Sequence, residues 1–127
     1  MTLRIVATDR APAAIGPYSQ AVVSGDLVFC SGQIALDPVS GAVIGDDVAA
    51  QTRQVLKNLR EVLEAAGSSL AQVVKCNVYM TDLGCFGEMN AVYGEFFASH
   101  RPARAAVEVS RLPKDVLVEI EAVARLD

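Results

Sequence analysis

The sequence predicts one α+β domain, a mixed β-sheet with two helices on one of its faces. Three observations predict it. Two stretches carry apolar residues at three- and four-residue spacing, the mark of amphipathic helices. Several short β-rich runs are bounded by Gly, Pro, Ser and Asp. These elements follow one another in the order ββ(β)αβαββ, with no repeat or linker between them, so residues 1–127 read as a single unit of ordinary domain length.

A short segment at Arg4–Ala7 opens the chain, followed by the Pro/Gly loop Ala11-Pro12-Ala13-Ala14-Ile15-Gly16-Pro17-Tyr18. The β-type runs Gln20–Val23 and Leu27–Ser31 flank Ser24-Gly25-Asp26, a turn signal that predicts a hairpin. The second run ends at Ser31-Gly32-Gln33, before the turn-rich Asp37-Pro38-Val39-Ser40-Gly41. The first helix aligns Val48, Thr52, Val55, Leu56, Leu59, Val62, Leu63 and Ala66 on one face, opposite Arg53, Lys57, Arg60, Glu61 and Glu64. Asp46 or Asp47 caps its start and Gly67 its end.

A β-rich run at Val73–Met80 comes next. The second helix spans Phe86–Ser99, with Phe86, Met89, Tyr93, Phe96 and Phe97 as its apolar face and Asp82 or a neighbour as its cap. The last two runs, Arg104–Val109 and Val116–Ala124, read locally as a hairpin across a six-residue connection containing Pro113. One layer of two helices buries only one face of a sheet this rich in Val and Ile. Self-association through the other face is the simplest remedy.

Composition disfavours several classes of function. Eleven Lys and Arg against 15 Asp and Glu leave a net charge of −4, and no basic cluster offers a nucleic-acid surface. No apolar run approaches the roughly 20 residues of a membrane span, and the first residues lack a signal-type stretch, so a cytoplasmic protein is expected. Cys30, Cys76 and Cys85 are an odd number without metal-ligand spacing, and His100 is the single histidine. No metal and no cofactor are therefore expected. Buried reduced thiols are a simpler reading than a catalytic Cys–His pair.

Function is sought where polar groups interrupt apolar patterns, because a buried polar group without a partner costs about 1–3 kcal/mol. Strand alternation places Arg104, Ala106 and Glu108 on one face, and Leu117, Glu119, Glu121 and Val123 on one face of the last run. Arg104 with Glu119 or Glu121 reads either as a structural ion pair or as a small-molecule site. In the second case the guanidinium fork grips a carboxylate and a glutamate exchanges a proton with water. Asn90, near the apolar stripe of the second helix, reads as a loop-satisfying amide or a ligand contact. Gly32 suits a turn or a close backbone approach, and Ser31 and Tyr18 are hydrogen-bonding candidates beside turns.

Several segments resemble the Rid family of reactive intermediate deaminases, also called YjgF-type or L-PSP proteins. They are Ala11 to Gln20, Ser31-Gly32-Gln33-Ile34, Gln51-Thr52-x-Gln54-x-x-x-Asn58-Leu59, Val74-Lys75 with Thr81-Asp82, and Asn90-x-x-Tyr93-x-x-Phe96-Phe97. Pro102-Ala103-Arg104 and Leu112-Pro113-x-x-x-x-Val118-Glu119-Ile120-Glu121-Ala122 complete the series, in order along nearly the whole chain.

The resemblance implies a chorismate-mutase-like subunit in a homotrimer with a central barrel. It places the last strand between the Leu27–Ser31 and Val73–Met80 strands, with Arg104 and Glu119 two strand spacings apart, about 10 Å, and room for a small acid between them. It also implies hydrolysis of enamine or imine intermediates of the 2-aminoacrylate type to 2-keto acids and ammonia, in clefts between subunits. By motif, Arg104 holds the substrate carboxylate and Glu119 positions water. Tyr18, Ser31, Gly32, Asn90 and the Ala106 backbone are the substrate-binding residues.

Two features depart from the family pattern. Ala106 stands where many relatives have Cys, so no thiol there is essential. The His100-Arg101 segment before Pro102 is short, which opens the way to a larger imine of the aminomuconate type. A non-catalytic binder of 2-keto acids, and an endoribonuclease, are the competing readings.

Overall fold

The computed structural model describes residues 2–126. Its main elements are β1 (Leu3–Val6), β2 (Ala21–Ser24), β3 (Leu27–Gln33), α1 (Val48–Ala66), β4 (Val73–Met80), α2 (Phe86–Phe96), β5 (Ala103–Glu108) and β6 (Val118–Arg125). Helix α1 begins where Asp47 accepts a hydrogen bond from the Ala50 amide at 2.8 Å. It ends at Gly67, whose φ of 92° is the left-handed conformation that glycine adopts without a Cβ clash. The eight positions expected on its inner face are all buried. Helix α2 stops at Phe96 rather than Ser99. Phe97 leaves the helical conformation to enter the core, its ring centroid 4.7 Å from that of Tyr93.

The six strands form one sheet in the order β1-β2-β3-β6-β4-β5. The final two strands are therefore not the hairpin their sequence suggests. Instead β5 pairs in parallel with β4, and β6 inserts between β3 and β4, antiparallel to both, as the family resemblance implies. The connection from β5 passes the end of β4, where Val109 and Thr81 amides bond the Met80 and Leu117 carbonyls. Its tight turn puts Lys114 and Asp115 both at φ 56°, a strained choice for non-glycine residues at about 1–2 kcal/mol each. An Arg111–Asp115 ion pair at 2.7 Å spans the turn.

Both helices cover one face of the sheet. In β6, Val118, Ile120, Ala122 and Ala124 are buried beneath them, while Glu119, Glu121 and Val123 take the opposite face. That opposite face is uncovered, as one helix layer requires. Leu3, Ile5, Phe29 and Val107 lie on it, 61%, 61%, 47% and 45% exposed.

Three buried amides fasten the loops to this frame. Gln20 accepts from the Thr8 amide and donates to the Thr8 and Pro12 carbonyls, tying the Pro/Gly loop to β2. Gln51 joins the Gly45 carbonyl to the Leu117 amide. Asn58 donates to the carbonyls of Ile34 and Leu36. Satisfying buried backbone groups explains polar residues on the inner side of an amphipathic helix.

Candidate active site

The acidic half of the site begins with an irregularity in β3. Cys30 pairs with Ala122 and Gln33 with Ile120, so β3 carries one residue more than β6 over this stretch. The bulge lets Cys30 and Gln33 both turn inward and leaves Ser31 and Gly32 toward the uncovered face. Gly32 lies against the side chain of Glu119: a Cβ there would overlap the Glu119 Oε2 and stand 2.9 Å from its Cδ. The sequence reading of Gly32 as a close approach is correct, and the group that approaches is the candidate catalytic carboxylate.

Burial first, and then the charge of Glu121, push the Glu119 carboxyl above its ordinary pKa. Glu121 accepts from the Asn77 amide at 3.0 Å and the Tyr79 hydroxyl at 3.1 Å. Glu119 makes no hydrogen bond or ion pair among the described residues. A half-buried carboxylate with raised proton affinity and unoccupied lone pairs is suited to accept a proton from water.

A cavity of about 540 Å³ opens over this carboxylate, bordered by Tyr18, Ser31, Gly32, Pro113, Glu119 and Glu121. Tyr18 stands on its rim, 49% exposed, with its hydroxyl accepting from the Ile15 amide at 3.3 Å. The Ser31 hydroxyl donates to the Ser19 carbonyl at 2.5 Å, so its proton already fixes the Pro/Gly loop. It can offer a ligand only its acceptor side.

Arg104 is elsewhere. It pairs with Cys76 in the β4–β5 ladder, and Cys76 is buried under the helices. Its side chain therefore lies on the helix face of the sheet, whereas Glu119, paired with Tyr79, lies on the uncovered face. The expectation that a small acid fits between Arg104 and Glu119 of one chain is thus corrected. Strand order gave their lateral spacing, but register puts the side chains on opposite faces. The alternative of an Arg104 ion pair with Glu119 or Glu121 fails for the same reason.

The Arg104 guanidinium lies over the rings of Tyr93 and Phe86, 4.8 and 5.3 Å from their centroids, and donates to Asn90 Oδ1 at 2.7 Å. Asn90 is exposed and bonds neither loop backbone nor the apolar stripe; it orients the arginine. Arg104 meets no carboxylate among the described residues. A cavity of about 510 Å³ beside it includes Asn90, Tyr93, Phe97 and Arg101. Ala106 packs against the core and borders neither cavity.

Glu121 was weighed in the sequence only beside Glu119 as a partner for Arg104; Asn77 and Tyr79 behind it, and the aromatic seat of Arg104, were missed. Alternation within each strand hinted at them, but their convergence depends on β6 lying beside β4.

Cys30 and Cys76 are buried, and burial raises the Cys30 thiol to about 12, an unreactive group. His100 Nε2 donates to the Val73 carbonyl at 2.6 Å and serves to hold its loop. Among the described residues no three His, Cys, Asp or Glu side chains gather as metal ligands, and no helix is long and apolar enough to cross a membrane.

Fold and cavities define a class: a small α+β protein with a basic cavity on the helix side of its sheet and an acidic cavity on the other. The chain belongs to the L-PSP family, also called YjgF or Rid, whose profile, described as Endoribonuclease L-PSP, matches residues 8–126. It is 54% identical over 120 residues to a RutC family protein of Pyrococcus horikoshii, covering 94% of this chain and 95% of that one. It is 52% identical over 124 residues to the 2-iminobutanoate/2-iminopropanoate deaminase of Salmonella typhimurium, covering 95% and 96%. The crystal structure of E. coli TdcF with bound serine superposes with a TM-score of 0.92 at 46% identity, over 96% of this chain and 98% of that one.

Proposed function

We propose that the protein hydrolyses reactive enamine and imine intermediates of 2-amino acids to 2-keto acids and ammonia. The observation that carries the reading is the pair of half-sites on opposite faces of one sheet. One is a guanidinium seated without a carboxylate, the other a carboxylate seated without a donor. A face-to-opposite-face contact between copies joins them, and such a head-to-tail contact closes into a ring where its rotation permits. The exposed Leu3, Ile5, Phe29 and Val107 supply the apolar surface such a contact buries. A homotrimer, with a site in each of its clefts, is the ring the family resemblance implies. The Salmonella deaminase, at 52% identity, supports the chemistry.

In this reading Arg104 grips the substrate carboxylate in a cleft whose other wall holds Glu119 of a neighbouring copy. An enamine first takes a proton at its terminal carbon to become the iminium. Water then adds to the C=N carbon while Glu119 takes its proton, giving a neutral carbinolamine. Glu119 returns that proton to nitrogen, the C–N bond breaks, and ammonia leaves as the hydroxyl closes to the carbonyl and gives up its proton to solvent, which balances the proton the enamine carbon took from solvent. The net change is imine plus water to 2-keto acid plus ammonia. The iminium is its own electrophile.

The test couples a pyridoxal-phosphate dehydratase, fed serine or threonine, to the purified protein and follows 2-keto acid formation. Wild type is expected to exceed the spontaneous rate. Arg104→Ala, losing a charged bidentate grip, is expected to lower kcat/KM by about 10²–10³-fold while the assembly survives. Equal rates with and without wild-type protein overturn the proposal.

The pH profile probes Glu119 separately. Glu121→Gln keeps an acceptor for Asn77 and Tyr79 but removes the negative charge that helps raise the Glu119 pKa. Since Glu119 must be ionised to take a proton from water, the acid limb of kcat/KM is expected to move to lower pH. An unmoved limb would show that another group sets it.

A second reading is binding of small 2-keto or amino acids without turnover, for which the serine in the TdcF structure is the favouring observation. In that case Glu119→Gln leaves function intact. Ribonuclease action, named in the family description, has less support: the chain is acidic and has a single histidine, held by a carbonyl.

A further inference from the structure

The cavity beside Arg104 holds a second guanidinium, Arg101, three residues earlier in the chain. Four other arginines of this acidic protein find carboxylates: Arg10 and Arg60 lie 3.4 and 3.9 Å from Glu61, Arg53 2.8 Å from Glu95, and Arg111 2.7 Å from Asp115, while Arg4 donates to the Ala66 carbonyl. Arg101 makes no hydrogen bond or ion pair among the described residues, and Arg104 bonds only Asn90. Among the described residues no Asp or Glu borders their cavity.

Two further features argue that the second cation is a built part of the cavity. Arg101 sits between His100, anchored to the Val73 carbonyl at 2.6 Å, and Pro102, whose ring fixes its own φ, so the backbone that carries it is held. Gly94 also borders the cavity from inside α2, a position where glycine costs about 0.5–1 kcal/mol relative to alanine. A Cβ at Gly94 would meet nothing within 4 Å, so no neighbour in the chain requires glycine there. Its missing side chain leaves room beside the two arginines.

We infer that the preferred substrate carries a second, distal carboxylate, gripped by Arg101 while Arg104 holds the carboxylate next to the imine. The substrate class is then the imine of a dicarboxylic amino acid. This rests on the deaminase reading above and specifies which imines it favours.

The experiment compares imines made in situ by amino acid oxidases, with catalase present, from aspartate or glutamate and from alanine or 2-aminobutanoate. Wild type is expected to show a higher kcat/KM for the dicarboxylic imines. Arg101→Ala is expected to lower the ratio of dicarboxylic to monocarboxylic kcat/KM about tenfold, with Arg101→Lys retaining part of it. A second arm measures binding of 2-oxoglutarate and 2-oxobutanoate by calorimetry, on variants whose assembly matches wild type by size-exclusion chromatography. Tighter 2-oxoglutarate binding that depends on Arg101 supports the subsite even if no imine is turned over, an outcome that would sink the deaminase alone. Wild type that accelerates both imines with no preference, and a ratio untouched by Arg101→Ala, overturns the inference and leaves the deaminase standing.

Discussion

Arg104→Ala and Glu119→Gln chains, each nearly inactive alone, are expected to recover activity when unfolded together and reassembled in equal amounts. Loss of either the carboxylate grip or the proton exchange should leave about 1% or less of wild-type turnover. In the ring proposed above, each cleft would take its arginine from one copy and its glutamate from the next. Random mixing therefore pairs an intact Arg104 with an intact Glu119 in about one quarter of clefts. Recovery to about 25% of wild-type turnover is the expected reading. A mixture no better than its components would mean that both residues act from one chain, a result the opposite-face geometry forbids. The measurement thus tests the division of the site directly, without a crystal of the assembly.

Gly32→Ala should separate catalysis from folding. The added Cβ collides with the end of the Glu119 side chain, a flexible group that can swing aside, and not with backbone. The β3 bulge and the buried partners of β6 remain, so the thermal midpoint should stay close to wild type. The carboxylate, however, leaves the position from which it faces the cavity. A displacement near 1 Å at a proton-transferring group costs about 10²-fold, so kcat/KM is expected to fall by that order. Near-wild-type turnover in a folded Gly32→Ala protein would remove Glu119 from the mechanism. Loss of assembly would instead assign Gly32 to the fold.

The residues chosen from the sequence divide along the same line. Tyr18, Ser31, Gly32 and Glu119 converge on one cavity, and Asn90 and Arg104 on the other. Ala106 joins neither, and Ser31 spends its proton on the Ser19 carbonyl. Asn90 was readable as polar, but its partner was not, because a strand on the far edge of the sheet delivers Arg104 to it. Arg101 drew attention only as part of a short loop. Its lack of a carboxylate among the described residues becomes visible only from its neighbours in space.

Local chemistry determined the helices, their caps and most strands. Spacings of three and four residues, an Asp at the head of α1, a Gly at its tail and turn residues between β-runs act over a few residues and need no distant partner. The sequence by itself also determined that a sheet covered by one helix layer would keep an apolar face, because that follows from counting layers. Tertiary structure alone decided the side of the sheet on which each functional group lies, and long-range pairing set the order of the strands, which no local signal carried and only the family resemblance implied. Alternation says that Arg104 and Ala106 share a face, but only the pairing of Arg104 with buried Cys76 says which face it is. The extra residue in β3 and the insertion of β6 between β3 and β4 set Glu119 against Gly32 on the opposite side. Side-chain direction within a strand is a local property; its sign relative to the core is fixed by long-range pairing.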